Sequence, residues 1–244
     1  MVGLPAPAIS NIVYAFQQSD AFARIIIFLL FVLSIQAWTI MIDKGFAVRQ
    51  ARAAGRRFLQ RFAECHSPID MLLQVHDHSG LLVDVYHAGV DELSDILCLT
   101  REALESHARS RRLPRTLSIY EVDRIRSTLE RTVSIKIAEL EARLGILGTA
   151  VTVSPFLGLL GTVWGVMMAF CGMAQVGKPD IGSMAPGVSG ALLTTVVGLL
   201  VAIPSVVGFN LLTSSVRNTI TEMDNFVEDF VSVLKLQTSE PKGN

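Results

Sequence analysis

Charged side chains are scarce in this chain of 244 residues, because Asp, Glu, Lys and Arg make up only 18% of it, whereas a soluble domain carries about 25%. The formal net charge of −1 leaves no global basic field for nucleic acid and no acidic tail. Residues 25–42, 145–177 and 181–216 contain no charge at all. A bilayer core about 30 Å thick needs about 20 helical residues, so each stretch is long enough to span it. The sequence predicts an all-α membrane protein with three transmembrane helices.

Cysteine pairs and catalytic motifs are also missing. The three cysteines (Cys65, Cys98 and Cys171) form no CxxC pair, which excludes a disulfide scaffold and a thiolate zinc site. The chain has no phosphate-binding GxxxxGK[ST] loop, no Gly-x-Ser-x-Gly motif and no His-Glu-x-x-His motif. In the triplet at 76–78, the two histidines point to nearly opposite sides of a helix, which favours solvated or packed histidines over metal ligands. We therefore expect no enzyme, no cofactor and no metal.

The distribution of Lys and Arg predicts the orientation in the membrane. No basic residue precedes Arg24, so residues 25–42 are read as a retained helix rather than a cleaved signal peptide. Six basic residues follow this helix directly: Lys44, Arg49, Arg52, Arg56, Arg57 and Arg61. The loop after the second span has only Lys178, so the positive-inside rule places the N-terminus in the periplasm and the C-terminus in the cytoplasm. The cluster lacks interleaved aromatic residues, which disfavours nucleic acid as its partner.

The expected organisation follows from these spans and their orientation. It comprises a periplasmic N-terminal segment (1–24), transmembrane helix 1 (25–42), a helical cytoplasmic domain (43–144), transmembrane helix 2 (145–173), a periplasmic loop (174–184), transmembrane helix 3 (185–212), and a cytoplasmic C-terminal helix and tail (213–244). Transmembrane helices 2 and 3 would thus be joined by a short loop, while long helical extensions would lie in the cytoplasm.

The cytoplasmic domain shows helical periodicity. Pro68 and Pro114 divide it into blocks near 44–64, 69–79, 81–109 and 117 onward. The last block carries an amphipathic stripe of Ile119, Val122, Ile125, Leu129, Val133, Ile137, Leu140 and Leu144. Because nothing before Gly145 breaks the pattern, we expect one helix from about 118 to about 172. Its stripe needs a cover, either from other cytoplasmic helices of the same chain or from neighbouring subunits.

Small residues mark one face of each of the last two spans. They are Ser154, Gly158, Gly161 and Gly165 in the second span, and Gly187, Ala191 and Gly198 in the third. Such faces let membrane helices approach closely. Thr162 and Thr195 lie among them, and each hydroxyl either bonds to its own helix or presents a polar point to a pore. Pro204 frees the carbonyl four residues earlier and should kink the third span.

Two segments carry a resemblance to a known family. Residues 155–170 (PFLGLLGTVWGVMMAF) and 184–210 (MAPGVSGALLTTVVGLLVAIPSVVGFN) resemble the signature of the MotA/TolQ/ExbB proton channel family. The other segments agree in size and order, so the resemblance extends over essentially the whole chain. The short N-terminal segment and the tail around 223–230 resemble the TolQ branch more than the ExbB branch.

The resemblance implies a subunit of a bacterial inner-membrane motor. It implies a homopentamer around two helices of a TolR- or ExbD-like single-span partner, whose aspartate carries the proton, and a TolA- or TonB-like protein that receives the motion. In the TolQ branch, proton motive force would serve the Tol-Pal system in cell division and outer-membrane maintenance. The pore threonines of the family correspond to Thr162 in GTVWG and Thr195 in TTVVG.

One position departs from the family pattern. The family usually has a glutamate in APGIAEAL where this chain has Gly190, so its second and third spans contain no carboxylate. Two other functions stay open beside the Tol-Pal motor, namely an ExbB-like subunit that energises outer-membrane transport and a passive membrane scaffold. A self-contained transporter is disfavoured, because transporters place ionisable or substrate-binding groups within the membrane.

Overall fold

The computed structural model describes residues 13–17, 19–65, 67–73, 80–108, 113–176 and 181–239. Over these residues it contains helices and turns and no strand, which confirms the all-α prediction for that part of the chain. Six helices follow in order: α1 (Ala21–Ala63), α2 (Leu81–Leu97), α3 (Arg101–Ala108), α4 (Ile119–Glu141), α5 (Leu144–Val176) and α6 (Ile181–Ser239). A short helical turn at 13–17 precedes α1, and a 3₁₀ turn (Asp70–Leu73) precedes α2.

Three helical stretches are long and apolar enough to cross a membrane. They lie within Ala21–Ala63, Ile119–Gln175 and Met184–Leu236, and each contains all or most of one uncharged stretch of the sequence. The prediction of three apolar spanning helices is therefore confirmed by length and composition. The first and third spans continue as helix into residues with many charges, since α1 extends to Ala63 and α6 to Ser239.

Hydrogen bonds from side chains start two of the helices. The carboxylate Oδ1 of Asp20 accepts the backbone N–H of Ala23 at 2.9 Å, which caps the N-terminus of α1. Ser118 begins α4 with a reciprocal capping box, in which its hydroxyl accepts the N–H of Glu121 and the Glu121 carboxylate accepts the N–H of Ser118. Both signals are local in sequence, because an Asp or Ser directly precedes the helix.

The chain divides into two compact units. The first unit comprises residues 1–44 and 143–212, and the second comprises residues 45–142 and 213–244. The second unit has an aromatic core of Phe58, Phe62, Tyr86, Phe226 and Phe230, with ring centroids 5.0–6.3 Å apart. The Tyr86 hydroxyl donates to the carbonyl of Pro68 at 2.8 Å, and burial raises the pKa of Tyr86 well above its usual range. These rings tie α1, α2 and α6 together within that unit.

The stripe of α4 is buried against helices of the same chain in this unit. Val122, Ile125, Leu129, Val133 and Leu140 are buried. Leu144, the last residue of the predicted stripe, belongs to the first unit and is also buried. Ile119 instead is 76% exposed, and Ile137 is half-buried. Helix α2 packs along α4, where Lys136 donates to Asp84 at 2.8 Å and the hydroxyl of Thr128 donates to Glu92 at 3.0 Å. The hydrogen bond to Asp84 raises the pKa of Lys136.

The prediction of one uninterrupted helix from about 118 to about 172 is wrong. Helix α4 ends at Glu141 and α5 begins at Leu144, because Arg143 adopts φ of 70° in the left-handed region, which is uncommon for a residue with a Cβ. The block near 81–109 is also two helices rather than one. Cys98 caps α2 with φ of 53°, and α3 begins at Arg101. Both breaks depend on backbone conformations that hydrophobic periodicity does not report.

Candidate functional site

Helices α5 and α6 meet at a seam of small residues, which we call the α5–α6 seam. A Cβ on Gly158 would lie 3.0 Å from the carbonyl oxygen of Thr194 and 3.0 Å from the Cα of Thr195. A Cβ on Gly165 would lie 2.6 Å from the Cβ of Ala191. Side-chain carbons do not come this close to their neighbours, so these glycines allow the two backbones to touch. The structure therefore brings together the two faces that the sequence singles out.

The remaining small residues extend the same contact in both directions. A Cβ on Gly161 would collide with the hydroxyl and Cβ of Thr194, and one on Gly198 would lie 2.7 Å from the carbonyl of Ser154. At the other end, a Cβ on Gly187 would meet the Cβ of Ala169 at 3.4 Å, an ordinary contact. The Ser154 hydroxyl is buried and donates to Ala150 at 2.6 Å within α5. Gly187 is thus the least constrained of the predicted glycines.

The two threonines predicted to serve the proton path are adjacent across this seam. Their hydroxyl oxygens, Oγ1 of Thr162 and Oγ1 of Thr195, lie 3.4 Å apart, and both side chains are half-buried. The Thr162 hydroxyl donates to the carbonyl of Leu159 in its own helix at 2.8 Å. The Thr195 hydroxyl lies 3.0 Å from the carbonyl of Gly158 on the other helix. The sequence left open whether each hydroxyl bonds to its own helix. Of the two, Thr162 bonds to its own helix, whereas Thr195 bonds to the neighbouring helix.

A third threonine, Thr194, has a different environment. It is fully buried, and its hydroxyl lies 2.7 Å from the carbonyl of Ala191 and 3.0 Å from that of Gly158. Sequence reasoning did not single it out, although it is adjacent to Thr195 and faces Gly161. The repeated Thr in TTVVG was the available signal. Thr194 is buried within the contact between the helices, whereas Thr162 and Thr195 lie at its partly exposed side.

The hydroxyl pair can accept hydrogen bonds. One hydroxyl carries one proton, and the protons of Thr162 and Thr195 have carbonyl acceptors at 2.8 Å and 3.0 Å. The lone pairs of both oxygens are then available to a donor such as water or a protonated carboxyl group. Leu159, Val163 and Val196 flank the pair and are exposed in the single chain, so the surroundings are apolar. A polar pair in an apolar surface is suited to hold a donor that arrives from outside this chain.

Gly190 has a neighbour that the sequence did not predict. A Cβ there would lie 2.8 Å from the hydroxyl of Ser19, 3.0 Å from its Cα and 3.2 Å from the carbonyl of Ala15. The next residue, Asp20, accepts the indole N–H of Trp164 on its Oδ2 at 3.0 Å. The segment before α1 therefore occupies the place where the family pattern has a glutamate side chain. In the sequence, Asp20 is recognisable as a residue that can cap a helix. That pattern does not indicate its second hydrogen bond, with Trp164.

The other predicted positions are less informative about chemistry. Pro204 is half-buried inside the continuous α6, and the Ser205 hydroxyl donates to Val201 at 2.7 Å. No group of three or more His, Cys, Asp or Glu that could hold a metal ion occurs in the part of the chain that the structure describes. The triplet at 76–78 lies outside those residues. Cys98 and Cys171 are exposed thiols.

The three apolar helices identify a polytopic α-helical membrane protein. Its second and third spans pack backbone to backbone at a seam of glycines that also carries the paired threonine hydroxyls. Residues 100–225 match the model of a family described as the MotA/TolQ/ExbB proton channel family. The chain belongs to this family. Its members are channel and transport subunits rather than a class of enzymes.

Similar proteins match over most of the chain. The Tol-Pal system protein TolQ of Pseudomonas aeruginosa is 30% identical over 209 residues, which cover 85% of this chain and 86% of the relative. TolQ of Haemophilus influenzae is 26% identical over 230 residues, covering 93% and 95%. The biopolymer transport protein ExbB of Pseudomonas putida is 31% identical over 201 residues, covering 82% of this chain but 56% of the relative. The chain is therefore a homologue of TolQ within an inner-membrane family that also includes ExbB.

Proposed function

We propose that this chain is the proton-channel subunit of a Tol-Pal system. In this proposal it forms a homopentamer around a TolR-like single-span partner and uses proton motive force to drive a TolA-like protein during cell division and outer-membrane maintenance. The TolQ relatives support this, because two of them match more than four-fifths of both chains. The expected orientation, with a periplasmic N-terminus and a cytoplasmic C-terminus, is part of the proposal and rests on the basic residues after the first span.

The ExbB-like function is the second candidate. ExbB of Neisseria meningitidis is 26% identical over 231 residues, covering 90% of this chain and 94% of the relative. The ExbB of Pseudomonas putida instead is much longer than the matched region. A subunit of that kind would work with ExbD- and TonB-like partners to energise outer-membrane transport.

The observation that carries the channel function is the pair of hydroxyl oxygens 3.4 Å apart at the α5–α6 seam. Helix α5 and residues 181–216 of α6 contain no carboxylate, so the group that carries the proton must come from elsewhere. We propose that an aspartate on the partner helix brings it. Because the Thr162 and Thr195 protons have carbonyl acceptors, the pair would bind this carboxyl group in its protonated form, or a water molecule, as a donor.

Substitution by valine tests this role, since valine keeps the shape of threonine and removes the hydroxyl. We expect Thr162→Val and Thr195→Val together to abolish complementation of a strain that lacks TolQ, while the protein still reaches the membrane and binds its partner. Thr152→Val is the matched control, because the Thr152 hydroxyl is exposed and bonds only to carbonyls of α5. Full complementation by the double variant would remove both threonines from the mechanism and favour the passive scaffold.

Complementation also separates the two branches of the family. We expect the intact protein, expressed with the TolR-like protein of its own source, to restore detergent resistance to a strain that lacks the TolQ and TolR pair. The same proteins should not restore TonB-dependent growth on a scarce iron chelate to a strain that lacks ExbB and ExbD. The reverse pattern would contradict the Tol-Pal function and support the ExbB-like one.

A further inference from the structure

The residues just before α1 pack against the start of α6. The hydroxyl of Ser19 donates to the carbonyl of Ala15 at 2.8 Å, and both residues are buried. This turn of backbone covers Gly190, where any side chain would collide with Ser19. Gly190 is itself buried. The missing glutamate is therefore not an open gap, because another part of the same chain fills its space.

This segment and the first turn of α1 also contact α5, through a hydrogen bond from Trp164 to Asp20 and a ring contact of Phe22. Asp20 uses one carboxylate oxygen for the indole N–H of Trp164 and the other for the backbone N–H of Ala23. The ring of Phe22 lies 4.6 Å from that of Trp164. Arg24 donates to the carbonyl of Gln17 at 3.0 Å, which ties the first turn of α1 back to the segment before it. These contacts join the segment to the first turn of α1 and to Trp164 of α5.

We propose that residues 13–17, 19 and 20 form an N-terminal clasp on α5 and α6, in which Ser19 requires glycine at position 190 and Asp20 is a positioning residue that fixes Trp164. The carboxylate of Asp20, directly before α1, would then hold α1 against α5. It would do so near position 190, where the family pattern usually has a glutamate. The clasp itself follows from contacts within this chain. Its importance for proton coupling rests on the proposed function.

Asparagine cannot replace Asp20 in this arrangement. Both donors, the Trp164 indole and the Ala23 amide, need an oxygen acceptor, and each oxygen of Asp20 serves one of them. An asparagine side chain has one oxygen and one NH₂ group, so one of the two N–H groups would face another donor. Asp20→Asn should therefore release the clasp, although it hardly changes the size of the side chain.

Trp164 provides a direct readout of the clasp. The chain has two tryptophans, so a Trp38→Phe background leaves Trp164 as the single indole. In the purified full-length complex we expect Asp20→Asn to shift the Trp164 emission to longer wavelength and to increase its quenching by acrylamide. Gly190→Ala should produce the same change, because it displaces Ser19 and with it Asp20. Asp43→Asn, at an exposed carboxylate further along α1, and Gly172→Ala, at an open position of α5, are the matched controls.

A thermodynamic cycle tests whether Asp20 acts through Trp164. We expect Asp20→Asn to lower the Tm of the complex in the native background and to have a clearly smaller effect after Trp164→Phe, because the N–H donor is then already absent. Equal effects in both backgrounds, or an unchanged Trp164 emission in both Asp20→Asn and Gly190→Ala, would overturn the clasp.

A separate experiment tests whether Asp20 matters for proton coupling. We expect Asp20→Asn to reduce complementation at a normal membrane level of protein, with Asp43→Asn unaffected. Normal complementation together with a shifted Trp164 emission would overturn Asp20 as a positioning residue of the channel while leaving the clasp in place. Because emission and Tm need no proton flow, they report on the clasp even if the threonine test contradicts the proposed function.

Discussion

At the scale of single residues, the contact between α5 and α6 depends on glycines that have no Cβ. A Cβ at Gly161 would overlap the hydroxyl of Thr194 and lie 2.7 Å from its Cβ. Thr194 is fully buried and cannot move aside without repacking. We expect Gly161→Ala to lower the free energy of unfolding by about 1–3 kcal/mol, the usual cost of overpacking, as measured by thermal unfolding in detergent.

Gly172→Ala is the control for that substitution. It lies on the same helix, and a Cβ there meets nothing within 4 Å in the single chain. The control should equal or slightly exceed the native Tm, because alanine favours helix more than glycine does. If both variants unfolded at the same temperature, the close approach of α5 to Thr194 would be contradicted.

The start of α4 gives a prediction of pH dependence. A hydrogen bond from Arg115, with a further one from the Ser118 N–H, lowers the pKa of Glu121 from 4.5 to about 2. A carboxyl group with a lowered pKa in the folded state stabilises that state above its unfolded pKa and loses this effect as the pH falls toward 2. The stability difference between the native protein and Glu121→Gln should therefore be constant above pH 6 and shrink below about pH 4.5.

Urea unfolding of the two proteins across this range measures that difference. Glu130→Gln is the control, since Glu130 is exposed and its nearest cationic group, on Arg126, is 4.0 Å away. The control difference should stay small at every pH, as for other exposed ion pairs. A Glu121→Gln difference that grew on acidification would have the wrong sign for a carboxylate held in its charged form.

At the scale of helices, α4 offers a comparison between its two faces. Val133 is buried, whereas Ile135 is 54% exposed two residues further on. Val133→Asp would bury a carboxylate without a partner and should cost several kcal/mol, or prevent folding. Ile135→Asp should leave the Tm almost unchanged. Membrane level and thermal stability of the two variants measure the contrast, and equal stability would mean that the face of α4 is misassigned.

The periodicity of α4 was predictable because it is a local property. From Val122 to Leu140 the apolar residues that recur every three or four positions are mostly the buried ones. The pattern failed at Ile119, which is the first helical residue and is 76% exposed, and at the break before α5. Arg143 adopts the left-handed conformation although it is neither glycine nor asparagine, so residue type gave no signal for this break.

At the scale of the whole molecule, large apolar surfaces remain on all three spans. Exposed apolar side chains include Phe28 and Phe31 on α1, Phe156 and Val163 on α5, and Leu200 on α6. Exposed apolar surfaces that extend along whole helices are normally covered by lipid or by other subunits. In the proposed pentamer, α1 faces lipid while α5 and α6 line a central lumen. This arrangement is a proposal, and accessibility of introduced cysteines tests it.

For that test, the native cysteines are first replaced, because Cys98 and Cys171 are exposed thiols. An aqueous maleimide should then label Thr162→Cys and Thr195→Cys in assemblies without the partner protein, and should leave Phe28→Cys and Phe31→Cys unlabelled in the bilayer. Labelling of the α1 positions with protection of 162 and 195 would reverse the arrangement. Binding of the partner should reduce labelling at the threonine positions.

The spans and the seam were predictable at this scale, whereas the clasp was not. An absence of charge over a long stretch identifies a span without any knowledge of its neighbours, and glycines spaced four apart indicate a contact face. The bond between Asp20 and Trp164 joins residues that are 144 positions apart, and neither residue type demands the other. Such a contact becomes visible only when the helices are placed side by side.

The cover that Ser19 forms over Gly190 also has a consequence for evolution. A segment such as 185–202 cannot be exchanged freely with that of a relative, because a glutamate arriving at position 190 would meet the backbone of Ser19. If the clasp is correct, we expect the two sites to be epistatic, so that recombination within the family preserves function when the N-terminal segment is inherited together with the third span. A chimaera that takes both from one parent should assemble, and one that mixes them should not.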